Sequence, residues 1–305
     1  MRRWAVSLIV IALAGCGDSG GSNTTPPPQA EFNAARAIHD VRVQVGIGPR
    51  PEGTAASEEE VRFIALSLRQ AGVGGVRVQH PYRNVVARIP GAEPGAVVLG
   101  AHHDTKDIPG FVGANDGASG VAVLLELARD LPRRVDGPSI DLAFFDAEES
   151  VGAGSGAGAF EHTGDRGSGQ YVRYAERGGL QGSPPLDSIR AMVLFDMVGD
   201  CDLRIPLEAS SDPALYAPFA DAAAASGPDG SPLPFEGTTG AIEDDHTPFL
   251  QAGVPAVDLI DFDYGPGPTP GAWWHTVQDD LGHVCAHSLA AVGQPALAAI
   301  PELGG

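Results

Sequence analysis

Two adjacent glutamates, Glu148 and Glu149, follow an apolar stretch at residues 142–145. Carboxylates this close repel each other, which favours a site where the two groups have different roles. A zinc site separates the roles, because one carboxylate binds the metal ion and its neighbour remains free as a general base. The pair therefore indicates acid–base chemistry assisted by a metal ion.

Further candidate metal ligands lie where apolar runs end or in loops. They are His102, Asp116, Asp196 and His275. Each is ordinary when taken alone, since a histidine after a strand usually makes a structural hydrogen bond and an aspartate before a helix usually caps it. Together with the glutamate pair they form a set of imidazoles and carboxylates, which are ligands that zinc takes in catalytic sites.

Short apolar runs alternate with helical patterns along the chain, and both are needed to position these residues. The apolar runs are 97–99, 140–145, 192–195 and 256–260, and the helical patterns are 58–70, 121–131, 215–225 and 288–300. This alternation is typical of an α/β protein with a mostly parallel, mixed central sheet flanked by helices. Open α/β sheets place their ligand crevice at the carboxyl ends of the strands. The candidate ligands lie after these apolar runs or in loops, so we expect them to meet at that edge.

Composition and charge exclude several classes of protein. The chain has 305 residues, of which 43% are hydrophobic, so it can bury a sizeable core. Its 41 glycines and 26 prolines follow no period, which excludes collagen. A formal net charge of −20, from 19 basic and 39 acidic residues, repels phosphate backbones, so nucleic acid is a poor partner.

The residues from about Gly46 to the C-terminus resemble the zinc aminopeptidases and glutaminyl cyclases of metallopeptidase family twenty-eight. The resemblance rests on the His-x-Asp pattern at His102, the Gly-Ala-Asn-Asp-Gly segment at 113–117, the glutamate pair and Trp-His-Thr at 274–276. It implies a zinc-dependent exopeptidase-like fold, in a single domain that we place at residues 31–305.

The resemblance also implies a role for each candidate residue. Glu148 would be the catalytic acid/base, and Asp104 would be the partner of the first histidine. One or two zinc ions would be held by His102, Asp116, Glu149, Asp196 and His275. The number of ions is left open, because single-zinc cyclases and two-zinc aminopeptidases keep the same five ligands.

Within the family, several segments are closer to the glutaminyl cyclases. Residues 104–106 read Asp-Thr-Lys, similar to the cyclase Asp-Ser-Lys, and residues 244–250 read Asp-Asp-His-Thr-Pro-Phe-Leu, where aminopeptidases usually have serine in place of Asp244. The implied reaction converts the N-terminal glutamine of a peptide to pyroglutamate and releases ammonia. Asp196 and Asp244 would hold the substrate amine, and Trp274 and Phe249 would pack against the aliphatic stem of the glutamine.

Two other functions remain open from the sequence. A zinc aminopeptidase would use the same residues to cleave the N-terminal peptide bond, with Glu148 activating a metal-bound water. A catalytically inactive surface binding protein is a more remote alternative, which the intact glutamate pair disfavours. The sequence indicates no oligomeric state.

The N-terminus reads as a processing signal. Arg2 and Arg3 precede an apolar run at residues 4–14, which is too short to span a bilayer as a helix. The run ends in Leu-Ala-Gly-Cys at Cys16, which resembles the lipobox of bacterial lipoproteins. We therefore predict a signal peptide at residues 1–15, lipidation of Cys16 and a flexible tether at 16–30. The expected product is an exported lipoprotein anchored at the periplasmic face of a membrane or at the cell surface.

The other two cysteines are Cys201 and Cys285. An exported location permits a disulfide bond between them, but two buried free thiols are equally ordinary. The sequence leaves their pairing open.

Lipidation can be tested by replacing Cys16 with serine. We expect the Cys16→Ser protein to move from the membrane fraction to the soluble fraction, because the tether has no apolar stretch that would hold it in the membrane. Fractionation and immunoblotting measure this, with the Ser22→Ala variant of the tether as the matched control. A Cys16→Ser protein that stays in the membrane fraction like the control would contradict lipidation.

Overall fold

The computed structural model describes Met1, residues 30–151, Phe160, and residues 163–226 and 234–303. Cys16 lies outside the described residues, as do the predicted signal peptide and tether except for Met1 and Ala30. Lipidation and export therefore stay predictions.

A mixed sheet of six strands lies at the centre of the described chain, in the order β1-β2-β4-β3-β5-β6. The strands are β1 Gly74–Val78, β2 Val85–Ile89, β3 Ala96–His102, β4 Ser139–Phe145, β5 Ile189–Asp196 and β6 Ala256–Ile260. The last four strands run parallel to one another, whereas β1 pairs antiparallel with β2 and β2 pairs antiparallel with β4. The sheet confirms the predicted mixed α/β fold.

The described ranges contain seven α-helices, and none of these is both long and apolar enough to cross a bilayer. They are α1 Ala34–Ile47, α2 Ala55–Gln70, α3 Ala118–Asp130, α4 Arg166–Glu176, α5 Pro213–Ser226, α6 Thr247–Gln251 and α7 Ala286–Ala299. Alternate strand residues point to opposite faces of the sheet, so both faces carry apolar side chains. Leu99 and Val193 belong to the core shared with α1, α2, α3, α5 and α7, and Val98 and Met192 to the core shared with α4 and α6.

The parallel strands bring the candidate ligands to one edge of the sheet. His102 ends β3 and pairs with Phe145 at the end of β4. Asp196 ends β5 and pairs with Ile260 at the end of β6. Because Gly100 of β3 pairs with Leu194 of β5, His102 and Asp196 leave the sheet at the same level.

Cys201 and Cys285 form a disulfide bond, with the two sulfurs 1.99 Å apart. The bond joins the loop after β5 to the residue that precedes α7. Next to it the Cys285 N–H donates to the carbonyl of Gly199 at 2.9 Å. The pairing that the sequence left open is thus present, and it connects the segment after Asp196 with the segment after His275.

Removing this disulfide should destabilise the protein, because the bond restricts the unfolded chain. For the double variant Cys201→Ser/Cys285→Ser we expect the free energy of unfolding to fall by about 2–5 kcal/mol. Urea unfolding under oxidising conditions measures it, and reduced wild type should unfold at the same urea concentration as the double variant. Equal midpoints for oxidised wild type and the double variant would show that the bond adds no stability.

Candidate metal centre

The carboxyl edge of the sheet gathers the five predicted ligands into two groups that share Asp116. One group is His102, Asp116 and Asp196, and the other is Asp116, Glu149 and His275; within each group the potential ligand atoms lie within 4.8 Å of one another. The two carboxylate oxygens of Asp116 face different histidines, since Oδ1 is 3.3 Å from Nε2 of His102 and Oδ2 is 3.4 Å from Nε2 of His275. Asp116 therefore lies between two potential metal positions.

The remaining contacts in each group are equally short. Nε2 of His102 is 3.0 Å from Oδ1 of Asp196, and Nε2 of His275 is 3.3 Å from Oε2 of Glu149. The ammonium of Lys106 is 3.3 Å from that same Glu149 oxygen and also donates to the hydroxyl of Ser150.

Both glutamates of the pair face the same cavity, because the strand has ended before them. β4 stops at Phe145, and Ala147 adopts the left-handed conformation with φ of 59°. The Asp104 carboxylate accepts hydrogen bonds from the backbone N–H groups of both Glu148 and Glu149, at 3.1 and 3.2 Å. Nδ1 of His102 is 3.7 Å from Asp104, too far for a hydrogen bond. The direct contacts of Asp104 are therefore with the backbone of the glutamate pair.

Glycine permits the turn that carries Asp116. Gly113 has φ of 53°, and a Cβ there would lie 2.3 Å from the carbonyl oxygen of Asp116. Gly117 has φ of 97°, and its Cβ would lie 2.9 Å from the carbonyl oxygen of Asp104. A larger residue at either position would displace a ligand or its neighbour.

His275 is held in its orientation by aromatic contacts. It has φ of 54°, and its ring stacks on Trp274 with centroids 3.7 Å apart and an interplanar angle of 18°. Phe111 meets the ring edge-on at a centroid distance of 6.0 Å. A strained backbone of this kind persists only where the surroundings fix it, and it is common at functional sites.

The donor set fits a divalent cation. Four of its buried nitrogen or oxygen atoms have no hydrogen-bond partner: Nδ1 of His102, Oδ2 of Asp116, Oε1 of Glu149 and Nδ1 of His275. Burying polar atoms without partners is unfavourable, and buried charges are usually paired or bind metals. Imidazole nitrogens and carboxylate oxygens are also the chemical types that zinc accepts.

Burial and repulsion by neighbouring carboxylates raise the pKa of two carboxyl groups beside this set, Glu148 and Asp244. For Glu148, burial raises the pKa well above its ordinary value, attraction to His102 opposes the rise, and repulsion by Glu149 adds to it. Burial and then repulsion by Asp258 raise the pKa of Asp244 well above its ordinary value. A bound cation would favour the ionised forms.

A third group of carboxylates lies beside the two ligand groups. Glu148, Asp165 and Asp244 have carboxylate oxygens within 4.8 Å of one another. Asp165 precedes α4 and makes no side-chain capping hydrogen bond. Its sequence context gives no sign of this position, because an aspartate just before a helix reads as an ordinary cap.

A cavity of about 250 Å³ opens onto these groups. It is lined by site residues, including Lys106, Glu148, Asp196 and Asp244, and by apolar side chains that include Ile242, Phe262 and Trp274. Trp274 was predicted to lie in the substrate pocket and does line the cavity.

Phe249, the other predicted pocket residue, lies elsewhere. It is 0% exposed and packs in the core against Phe145 and Tyr171, with ring centroids 6.2 and 5.7 Å away. The prediction was wrong because α6 directs this ring into the core shared with α4, away from the cavity.

Comparisons with known proteins agree with this geometry. The family model described as peptidase family M28 matches residues 84–300, a span that contains all the predicted ligands. The glutaminyl-peptide cyclotransferase of Drosophila melanogaster is 32% identical over 278 residues, which cover 76% of this chain and 71% of the fly protein. The aminopeptidase YwaD of Bacillus subtilis is 29% identical over 68% of this chain and 41% of its own length.

Among solved structures, the glutaminyl cyclase of an Acidobacteriales bacterium has a TM-score of 0.76 and 30% identity, covering 96% of this chain and 99% of that one. The likeness therefore extends over the sheet, the helices and the site. Because the family match covers most of the chain and includes the glutamate pair and both histidines, the chain belongs to peptidase family M28.

Proposed function

We propose that the protein is a zinc-dependent glutaminyl-peptide cyclotransferase, which converts the N-terminal glutamine of peptides to pyroglutamate and releases ammonia. The observation that carries the proposal is the position of Glu148. Its Oε2 is 3.9 Å from Nδ1 of His102, so it borders the ligand groups without belonging to either, and it lies beside Asp244. The likeness to glutaminyl cyclases in sequence and in structure supports the same reaction.

The residues that would hold zinc in this reaction are Asp116, Glu149 and His275, with His102 and Asp196 available for a second ion. When bound, zinc supplies a Lewis acid that polarises the side-chain carbonyl of the glutamine. The cavity lies just below the size at which pockets for drug-sized ligands begin, about 300 Å³, and suits a single amino-acid residue with its amine.

The chain's own groups move the proton. In the reaction the α-amine nitrogen forms a bond to the side-chain carbonyl carbon, and the bond from that carbon to the amide nitrogen breaks. Glu148 takes a proton from the amine and delivers it to the leaving nitrogen, which departs as ammonia. Asp196 and Asp244 hold the amine by charge-assisted hydrogen bonds. Trp274 covers the aliphatic stem of the glutamine and excludes water from it.

A zinc aminopeptidase is the second candidate. It is favoured by the sharing of Asp116 between two ligand groups, which suits two bridged metal ions, and by the likeness to aminopeptidase YwaD. Asp244 favours the cyclase over the aminopeptidase. Its carboxylate lies within 4.8 Å of that of Glu148, where it can hold the substrate amine that acts as the nucleophile. A catalytically inactive binding protein is less well supported, because the glutamate pair and the ligands are intact.

We propose that the enzyme acts outside the cytoplasm as a lipoprotein. The support is the charged and apolar N-terminal sequence that ends at Cys16, and the tether between Cys16 and the folded residues. Such a location gives access to peptide N-termini in the periplasm or at the cell surface.

The two candidate reactions release different products. On incubation with a peptide that begins with glutamine and, separately, with a leucine anilide, we expect ammonia release to exceed aniline release. A chelator should abolish ammonia release and added Zn²⁺ should restore it, because the metal has a chemical role in the proposed reaction. Faster aniline release would favour the aminopeptidase, and a preparation that binds no zinc would favour the binding protein.

The two neighbouring glutamates provide a matched pair of variants. We expect Glu148→Gln to keep near-normal zinc content and to lose at least about 100-fold in kcat, since it removes only the proton acceptor. Glu149→Gln should lose zinc first and activity as a consequence, because it weakens a metal bond. Metal analysis and steady-state kinetics measure both. If Glu148→Gln lost zinc while Glu149→Gln kept zinc and turnover, the two roles would have to be exchanged.

A further inference from the structure

Asp279 joins three separate segments of the chain through one buried carboxylate. It is 0% exposed. Its Oδ1 accepts hydrogen bonds from the backbone N–H of Asn115 at 2.7 Å and from the hydroxyl of Tyr264 at 2.9 Å. Its Oδ2 accepts a hydrogen bond from the backbone N–H of Asp116 at 3.0 Å.

These bonds fix the backbone of the residue that both ligand groups share. The carboxylate oxygens of Asp116 lie 3.3 and 3.4 Å from the histidines on either side, so a small movement of its backbone changes both groups. Catalytic side chains must be held to within about 0.5 Å of the productive geometry, which requires support from the surrounding shell.

Asp279 also lies in the same loop as His275. Its own N–H donates to the carbonyl of Thr276 at 3.1 Å, and the N–H of Thr276 donates to the carbonyl of Trp273 at 3.2 Å. The loop that presents the second histidine is thus hydrogen-bonded to the turn that presents Asp116, through the side chain of Asp279 and also through its carbonyl, which accepts from the N–H of Ala114 at 3.5 Å. The side chain of Asp279 is the part of this link that contacts the backbone of Asp116 directly.

The opposite side of the same turn is held by Arg50, which is also 0% exposed. Its guanidinium donates to the carbonyl of Val112 at 2.8 Å and to that of Gly113 at 3.3 Å. A guanidinium group therefore binds the carbonyls of the turn, and the carboxyl group of Asp279 binds its N–H groups. The glutamate pair is held in the same manner by Asp104, which also accepts two consecutive backbone N–H groups.

We propose that Asp279 is a positioning residue for the metal centre: it holds the backbone of Asp116 at the separation from His275 that a bound zinc ion requires. This role rests on the proposed function, since it concerns the metal of that same site. Asp279 touches neither substrate nor metal and acts through Asp116.

The test is the zinc affinity of Asp279→Asn, measured by competition with a chromogenic chelator. An asparagine retains one acceptor oxygen, and its amide group cannot accept the second backbone N–H. Loss of a partner that orients a metal ligand typically weakens metal binding about 10–100-fold, which is the expected result. Saturating zinc should restore most of kcat, which a general loss of folding would not allow.

Two control variants separate positioning from stability. Tyr264→Phe removes one hydrogen bond from Asp279 but leaves both backbone N–H groups paired, so its zinc affinity should stay close to that of wild type. Asp141→Asn changes another buried carboxylate, which pairs with Arg88 on the sheet at 2.6 Å. It should lower the unfolding temperature and leave zinc affinity unchanged.

A folded Asp279→Asn protein that binds zinc as tightly as wild type would overturn the proposal. If Asp279→Asn does not fold, the zinc affinity of Asp279→Glu tests the proposal, because this variant keeps the carboxylate and displaces it by one methylene. Weaker zinc binding by Asp279→Glu would support positioning, and unchanged binding would overturn it. A wild type that binds zinc but releases no ammonia would refute the cyclase reaction and would still allow this comparison of affinities.

Discussion

Repulsion among buried carboxylates is the constraint that the rest of the structure has to meet. At the carboxyl edge of the sheet, Glu148, Asp165 and Asp244 lie within 4.8 Å of one another, and Asp116 and Asp196 lie beside the same histidine. Removal from water and mutual repulsion both favour the protonated forms, which is why the pKa values of Glu148 and Asp244 lie well above their ordinary range. A divalent cation reverses this balance. The groups must therefore be held by other parts of the chain until a cation binds.

The turns that carry the ligands are held in place by hydrogen bonds between buried side chains and the backbone groups of those turns. Asp104 and Asp279 each accept two consecutive backbone N–H groups, and Arg50 donates to the carbonyls of the turn before α3. Hydrogen bonds to charged groups are stronger than those between neutral groups. Because the turns are fixed, the ligand side chains can approach one another despite their charge. The disulfide between Cys201 and Cys285 adds a covalent link between two of the loops involved.

The chain resembles both a glutaminyl-peptide cyclotransferase and an aminopeptidase, and the same set of ligands would serve either proposed reaction. In either proposed reaction a bound metal ion would activate a carbonyl, and Glu148 would move a proton. The nucleophile differs, since it is the substrate's own amine in one reaction and water in the other. The groups that face the substrate would therefore decide between the two proposed reactions, and Asp244 and Trp274, which line the cavity, are the candidates.

The mixed α/β fold, the strand ends and the chemical types of the candidate metal ligands can be predicted from the amino-acid sequence alone. Apolar periodicity is a local property, and residues such as His102 and Asp196 follow it directly. Which distant segments meet is seen only in the folded chain, because contacts between them leave no local pattern in the sequence. The structure shows that Asp116 is shared by two groups, and that Phe249 belongs to the core. The folded chain also shows the disulfide bond between the two cysteines. It places Asp165 and Asp279 at the site, although in the sequence one reads as an ordinary helix cap and the other as an ordinary loop residue.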